Sequence, residues 1–165
     1  MVLGVSLAAF TELHVILSLI GIGAGIVVLF GMLGGKRLPG WTALFLATTV
    51  LTSLTGFLFP FQQLLASHIV GIISLVALAI ALFALYIGRL AGSWRWVYVV
   101  TAVFSLYLNC FVGVVQAFLK RPLLKPLAPT QTEPPFVIAQ AIVLLIFVVL
   151  GFLAVRAFHP ATGRP

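Results

Sequence analysis

The chain has 165 residues, of which 63% are hydrophobic and 7% are charged. A soluble domain is usually about 45–50% apolar and about 25% charged, so this composition excludes an ordinary soluble domain and predicts an integral membrane protein. Nine Lys and Arg residues stand against two carboxylates, Glu12 and Glu133, and give a net charge of +7. With no Asp and two Glu, an acidic two-metal centre and an intramembrane aspartyl dyad are excluded.

Five apolar runs predict five transmembrane helices. They cover residues 13–33, 41–59, 65–88, 95–119 and 136–157. A span needs about 20 residues at about 1.5 Å rise per residue, and every run is close to that length or longer. The sequence therefore predicts an all-α, polytopic membrane bundle that forms a single domain over residues 1–165.

The basic residues predict the orientation of this bundle. One side of a five-span topology holds Lys36, Arg37, Arg89, Arg95, Arg156 and Arg164, and the other holds Lys120, Arg121 and Lys125. Cytoplasmic loops carry an excess of Lys and Arg, so we expect the N-terminus outside and the C-terminus in the cytoplasm. Anionic lipid headgroups account for these charges better than nucleic acid does.

The connection 121–135 holds five of the nine prolines. Proline removes backbone donors and favours extended chain, so we expect an ordered or semi-rigid loop here rather than a helix. The orientation places this Pro-rich loop on the periplasmic side.

A layer of polar residues near the outer ends of the predicted helices is the main functional signal. Its members are Glu12, His14, His68, Gln116, Lys120 and Gln140. Ionisable groups are costly in hydrocarbon, so such a cluster indicates a functional site. Glu12 is two residues from His14 and does not share its helix face, so we expect Glu12 to cap the first helix.

His14 and His68 lie at matched depths on two parallel predicted helices, where they could ligate one b-type haem iron. Gly21 and Gly25 follow His14 on the same helix face and would leave clearance for a macrocycle. Close helix packing through the GxxxG pair is the simpler interpretation of the glycines. The simpler interpretation is that each histidine is an interfacial side chain bonded to a carbonyl, a headgroup or water.

The same layer could instead hold a quinone headgroup. In either version Gln116 and Gln140 would wall the pocket, Lys120 would pair with a haem propionate or a quinone oxygen, and the loop 121–135 would act as a lid.

A polar stripe on the fourth predicted helix leads up to this layer. Its main members are Tyr98, Ser105, Asn109 and Gly113. Amides in hydrocarbon need partners, so the stripe is expected to face the bundle, where it could bond between helices or line a cavity. Thr48, Thr52 and Thr55 share a face of the second helix and are expected to bond back to carbonyls of the preceding turn.

The stretches LHVILSLIGIGAGIVVL, GWTALFLATTVLTSLTGFLFPF, SHIVGIISLVALAIAL and LAPTQTEPPF cover most of the chain. In these stretches the chain resembles a family of small uncharacterised proteobacterial inner-membrane proteins. That resemblance implies a multi-pass protein of the bacterial inner membrane and no particular activity. The paired histidines are only loosely similar to those of b-type membrane cytochromes, which use four histidines for two haems.

Three functions fit these observations. The first is a non-catalytic accessory or structural subunit of a membrane complex, in contact with other membrane subunits or with a second copy. The second is a redox protein that binds haem b or a quinone. The third is a small transporter that uses the polar stripe. No P-loop, GxSxG, HExxH or Rossmann fingerprint is present. The sequence therefore favours a non-enzymatic protein without deciding the question.

Overall fold

The computed structural model describes residues 4–59 and 66–160. Its long helices are α1 (Leu7–Leu33), α2 (Pro39–Gly56), α3 (Ala66–Leu82), α4 (Trp94–Lys120) and α5 (Pro134–Ala157). A π-helical turn, Phe83–Ile87, extends α3, and a 3-10 turn, Lys125–Leu127, lies between α4 and α5. The described residues contain no β-strand. The prediction of an all-α fold is therefore confirmed.

Within the described ranges, four helices are long and apolar enough to cross a membrane. They are α1, α4, α5 and the helix formed by α3 with its π-helical turn, His68–Ile87. This architecture indicates an integral membrane protein. The remaining helix, α2, has 18 residues, or about 27 Å at about 1.5 Å per residue, and its threonines lower its hydropathy. The five-span count therefore depends on α2 and stays a prediction.

The start of α1 differs from the prediction. The helix begins at Leu7, six residues before the apolar run, and Ser6 is its N-cap, with the Ser6 Oγ accepting the N–H of Ala9 at 3.2 Å. Glu12 lies in the second turn and is exposed, so the prediction that Glu12 caps α1 was wrong. The error arose because the polar Thr11–Glu12 pair was taken as a boundary, whereas the apolar residues before it already belong to the helix.

The first four helices form a ring in which α1 packs on α2, α2 on α3, α3 on α4 and α4 on α1. In this ring α1 and α3 lie on opposite sides. Its centre is filled by large apolar side chains, among them Phe45, Leu78, Val99 and Leu106. Helix α5 packs outside the ring against α4 and α1, and Ala154 is its one buried residue.

Arg95 joins α5 to the ring at the inner end, which is the end that carries the α1–α2 turn. Its Nη1 donates to the carbonyl oxygens of Val155 at 2.9 Å and Phe158 at 2.7 Å. The last carbonyls of a helix have no partner within the helix and carry the negative end of the dipole. The Arg95 guanidinium donates hydrogen bonds to these carbonyls and places a positive charge at the negative end of the dipole. It thereby holds the end of α5 against α4.

The connection between α4 and α5 covers residues 121–133 and includes one 3-10 turn, so α5 begins two residues earlier than predicted, at Pro134. Gln131 Nε2 donates to the carbonyl oxygen of Val115 at 3.1 Å. The Glu133 carboxylate accepts the N–H groups of Thr130 and Thr132, both at 3.1 Å, and the Thr130 hydroxyl at 2.8 Å. These bonds fix the chain just before α5 begins.

Gly25 and Gly23 form a matched pair that tests how closely α1 packs in the ring. A Cβ at Gly25 would lie 2.5 Å from Leu106 Cδ1 and 2.9 Å from the Phe45 ring, whereas a Cβ at Gly23 would meet nothing within 4 Å. We expect Gly25→Ala to destabilise the protein by about 1–3 kcal/mol through overpacking. Gly23→Ala should be neutral or slightly stabilising because Ala favours helix.

Thermal unfolding in detergent, followed by circular dichroism, measures the difference between the two variants. Equal melting temperatures for Gly25→Ala and Gly23→Ala would contradict the close approach of α1 to Phe45 and Leu106.

Glu133 gives the loop a pH dependence. Desolvation alone would raise the pKa of this carboxyl, but hydrogen bonds from Thr130 and Thr132 outweigh it and hold the pKa below the ordinary value of 4.5. Because the folded pKa is the lower one, the stabilisation is present above pH 4.5 and is lost as the pH falls through the folded value. We expect the amides of Thr130 and Thr132 to lose hydrogen-exchange protection between about pH 6 and about pH 3.

Exchange rates corrected for their intrinsic pH dependence provide the measurement. Glu133→Gln should show low protection at both pH values, while Glu12→Gln, which removes the other carboxylate of the chain, should behave as the unchanged protein. A loop whose protection is the same in all three proteins would refute this role of Glu133.

Candidate functional site

His14 makes a specific contact with α2 at the outer end of the ring. Its Nδ1 lies 2.8 Å from the Thr55 Oγ1, and the Thr55 hydroxyl donates its proton to the Leu51 carbonyl oxygen at 2.7 Å. When the one proton of the Thr55 hydroxyl is donated to that carbonyl, Thr55 accepts from a protonated Nδ1 of His14. The edge of the imidazole also meets the Phe59 ring, with 5.2 Å between centroids. The side chain is thus fixed between α1 and α2.

His68 occupies a different environment. It is buried at the start of α3, and its ring lies 5.8 Å from the ring of Phe57. The two histidines therefore contact different residues at the end of α2 and extend from helices on opposite sides of the ring. Among the described residues, no group of three or more His, Cys, Asp or Glu side chains is arranged to hold a metal ion.

The glycines below His14 are covered by neighbouring helices. A Cβ at Gly21 would lie 3.1 Å from Thr48 Oγ1 and 3.2 Å from Thr49 Oγ1, and Gly25 is closed off by Phe45 and Leu106. This space cannot accommodate a flat macrocycle, so the clearance that the haem hypothesis requires is not present here. Close helix packing accounts for the glycines.

A second polar contact crosses the middle of the ring. The Asn109 Nδ2 donates to Thr49 Oγ1 at 3.5 Å, next to Gly21. Thr48 donates to the Leu44 carbonyl oxygen at 2.7 Å, as predicted from its helical setting. Thr52 departs from that prediction, because its buried Oγ1 has no hydrogen-bond partner.

The other members of the predicted layer do not converge on one pocket. Gln140 Nε2 donates to the Phe111 carbonyl oxygen at 3.1 Å and so joins α5 to α4. Lys120 lies close enough to His14 to act on it electrostatically, although Lys120 and Gln116 are exposed, as is Glu12. The polar layer therefore consists of two hydrogen bonds between helices, from His14 and Gln140, a buried His68 and three exposed side chains.

The stripe on α4 faces the core over its inner half. Tyr98 and Ser105 are buried and Asn109 is partly buried, whereas Gly113 is exposed, like Gln116 beyond it. Tyr98 lines a cavity at the inner end together with Thr42 of α2. The Asn109–Thr49 contact joins α4 to α2 across the ring.

Two concave sites lie elsewhere on the molecule, and none of the six layer residues lines either one. An inner cavity of about 60 Å³ is lined by Lys36, Arg37, Thr42, Tyr86 and Tyr98, with apolar neighbours. The sequence analysis used its basic residues only for orientation. The signal that it missed is the coincidence of Lys36 and Arg37 with two tyrosines at the same membrane boundary.

The second site is an open groove of about 360 Å³ between α4 and α5. We call this surface the α4–α5 groove. Its lining residues are Val100, Val103, Phe104, Tyr107, Leu144, Phe147, Val148, Gly151, Phe152 and Val155. The set is apolar apart from the hydroxyl of Tyr107, so the groove suits a hydrocarbon surface.

The fold and these sites define the chain as a helical protein with the character of an integral membrane protein. No protein-family model matches the chain, and no curated protein or solved structure is significantly similar to it. The resemblance to proteobacterial inner-membrane proteins therefore stays a prediction, and the geometry of the chain is the basis for its function.

The His14–Thr55 hydrogen bond can be tested by a double-mutant cycle. We expect His14→Leu and Thr55→Val each to destabilise the protein, and the double variant to be less destabilised than the sum by about 0.5–2 kcal/mol, the range for hydrogen bonds between membrane helices. Reversible unfolding in mixed micelles gives the four free energies. Thr11→Val in place of Thr55→Val is the control, because Thr11 bonds only to the Leu7 carbonyl of its own helix. Strict additivity of His14→Leu with Thr55→Val would show that the two side chains are not coupled.

Proposed function

We propose that this chain is a five-span protein of the bacterial inner membrane, with its N-terminus outside and its C-terminus in the cytoplasm, and that it acts as a non-catalytic accessory subunit of a larger membrane complex. The distribution of Lys and Arg supports the orientation. The length of α2 and its packing between α1 and α3 support its inclusion as a fifth span.

The polar side chains support an accessory role because the structure uses them to hold helices together. His14 bonds to α2, Asn109 bonds to α2, and Gln140 bonds to α4. Hydrogen bonds of this kind stabilise a bundle in hydrocarbon. The bundle leaves many large apolar side chains exposed on its outer surface, where they can contact other chains.

The observation that carries the proposal is the α4–α5 groove. Membrane helices associate where small residues let backbones approach closely. Gly151 lies in the groove, where a Cβ would already be 3.3 Å from Val103 Cγ1, and the aromatic rings of Phe104 and Phe147 bound it. A helix from another subunit could place a ridge of side chains between α4 and α5.

Tyr107 favours a protein partner over a lipid tail. It lies at the midpoint of α4, and within the groove its ring stacks on Phe104 at 6.2 Å and is tilted against Phe147 at 5.9 Å between centroids. A phenolic hydroxyl at this depth is costly without a hydrogen-bond partner. An acyl chain offers no such partner, whereas a neighbouring helix can supply a carbonyl or a polar side chain.

Site-specific photo-crosslinking tests this function. A photoreactive residue at Val148, which is 58% exposed in the groove, should give one discrete protein adduct in native membranes. The matched control is Val76, which is 56% exposed on α3 outside the groove and should give lipid adducts only. Mass spectrometry of the adduct then distinguishes a different subunit from a second copy of this chain.

The variant Gly151→Phe provides a second readout because it fills the groove without adding charge. We expect it to abolish the adduct from position 148 and to reduce the size of the particle extracted in mild detergent to that of the single chain. Lipid adducts alone from position 148, or equal protein adducts from positions 148 and 76, would refute the proposal.

A further inference from the structure

The inner end of the bundle carries several Lys and Arg residues and no Asp or Glu side chain among the residues that the structure describes there. The sequence has no carboxylate side chain between Glu12 and Glu133, and none after Glu133. Within the described part of the chain, Arg95 is bonded to carbonyl oxygens of α5, and Arg156 lies over the Phe152 ring at 5.2 Å. The α1–α2 turn contributes two more cations that have no such role.

These two cations, Lys36 and Arg37, line the inner cavity. The cavity has a volume of about 60 Å³, which is enough for a few water molecules or one small anion. Lys36 and Arg37 are exposed at its mouth. Their long stems allow the charged groups to reach an anion that enters the cavity from the membrane surface.

Hydroxyl groups complete the lining. Tyr98 is 2% exposed and lines the cavity together with Thr42. Tyr86, on the π-helical turn, lines the same cavity. Two cations with several hydroxyl donors match the oxygens of a phosphate group better than any neutral ligand.

The start of α2 adds a further positive field. Leu38 and Pro39 line the cavity, and α2 begins at Pro39 with no side-chain cap on its free N–H groups. A helix N-terminus favours an anion, and here it supplements the two side-chain cations.

We propose that the inner cavity is a binding site for a phosphate group, held by Lys36 and Arg37 with the hydroxyls of Tyr86 and Tyr98. The cavity opens where aromatic and basic residues mark the boundary of the membrane, at the depth of lipid phosphates. A lipid headgroup or a free phosphate could supply this group. The site does not depend on the accessory function, since it lies at the inner end and the groove lies between α4 and α5.

Native mass spectrometry of the full-length protein tests the proposal with phosphatidylglycerol, phosphatidylcholine and inorganic phosphate as probes. The double variant Lys36→Gln/Arg37→Gln should reduce the retention of phosphatidylglycerol by about ten-fold or more. The control Arg89→Gln/Arg156→Gln removes the same charge from the same end outside the cavity and should change retention little. Tyr86→Phe, which keeps all charges, should reduce retention by a smaller factor.

The outcomes separate the two sources of phosphate. Retention of phosphatidylglycerol that inorganic phosphate does not displace supports a lipid headgroup. Binding of inorganic phosphate that is lost in Lys36→Gln/Arg37→Gln, with no preference among lipids, supports a free phosphate. An equal loss in both double variants would show general attraction to anions and overturn the proposal, as would no loss in either variant.

Discussion

The close approach of α1 to α2 and α4 at Gly21 and Gly25 is the constraint on which the rest of the ring depends. With no side chain at these positions, Phe45 and Leu106 pack directly on the α1 backbone, and the hydroxyls of α2 lie beside it. Polar groups in hydrocarbon must find partners within the protein. The same approach that closes the core therefore brings His14 within 2.8 Å of Thr55 and leaves the threonines in reach of α4.

Helix α5 is attached by a different principle. Ala154 is its one fully buried residue, and Phe147 and Leu150 pack partly buried against the core. Polar contacts hold it at both ends: Gln140 bonds to the Phe111 carbonyl near one end, and Arg95 bonds to the carbonyls of Val155 and Phe158 at the other. A helix fixed at its ends can leave space along its middle. The α4–α5 groove is that space, and Gly151 keeps it open because a larger residue there would occupy it.

Hydropathy was sufficient to predict the helices to within a few residues at most ends, because long apolar runs in this chain are separated by charged or proline-containing turns. It was insufficient at Glu12, where a polar residue inside a helix resembled a boundary. Helical periodicity correctly placed His14, Gly21 and Gly25 on one face. Periodicity could not show what packs against the two glycines. A haem needs small residues beside it, and so do closely packed side chains such as Phe45 and Leu106, so both arrangements predict the same sequence. The predicted equal depth of His14 and His68 in the membrane likewise does not show on which side of the ring each helix lies.

The two ends of the molecule differ in whether their charged and polar groups find partners within the chain. At the outer end the carboxylate of Glu133 is satisfied by Thr130 and Thr132, and His14 is satisfied by Thr55. At the inner end the chain provides cations without carboxylate side chains, and most of them lie near a membrane boundary where lipid phosphates are abundant. Arg95 shows that such a cation can be satisfied internally when helix carbonyls are in reach. Lys36 and Arg37 lie on the turn that follows the C-terminus of α1, and unlike Arg95 they border a cavity. The proposed phosphate group would balance their charge from outside the chain, whereas the polar groups at the outer end bond within the chain.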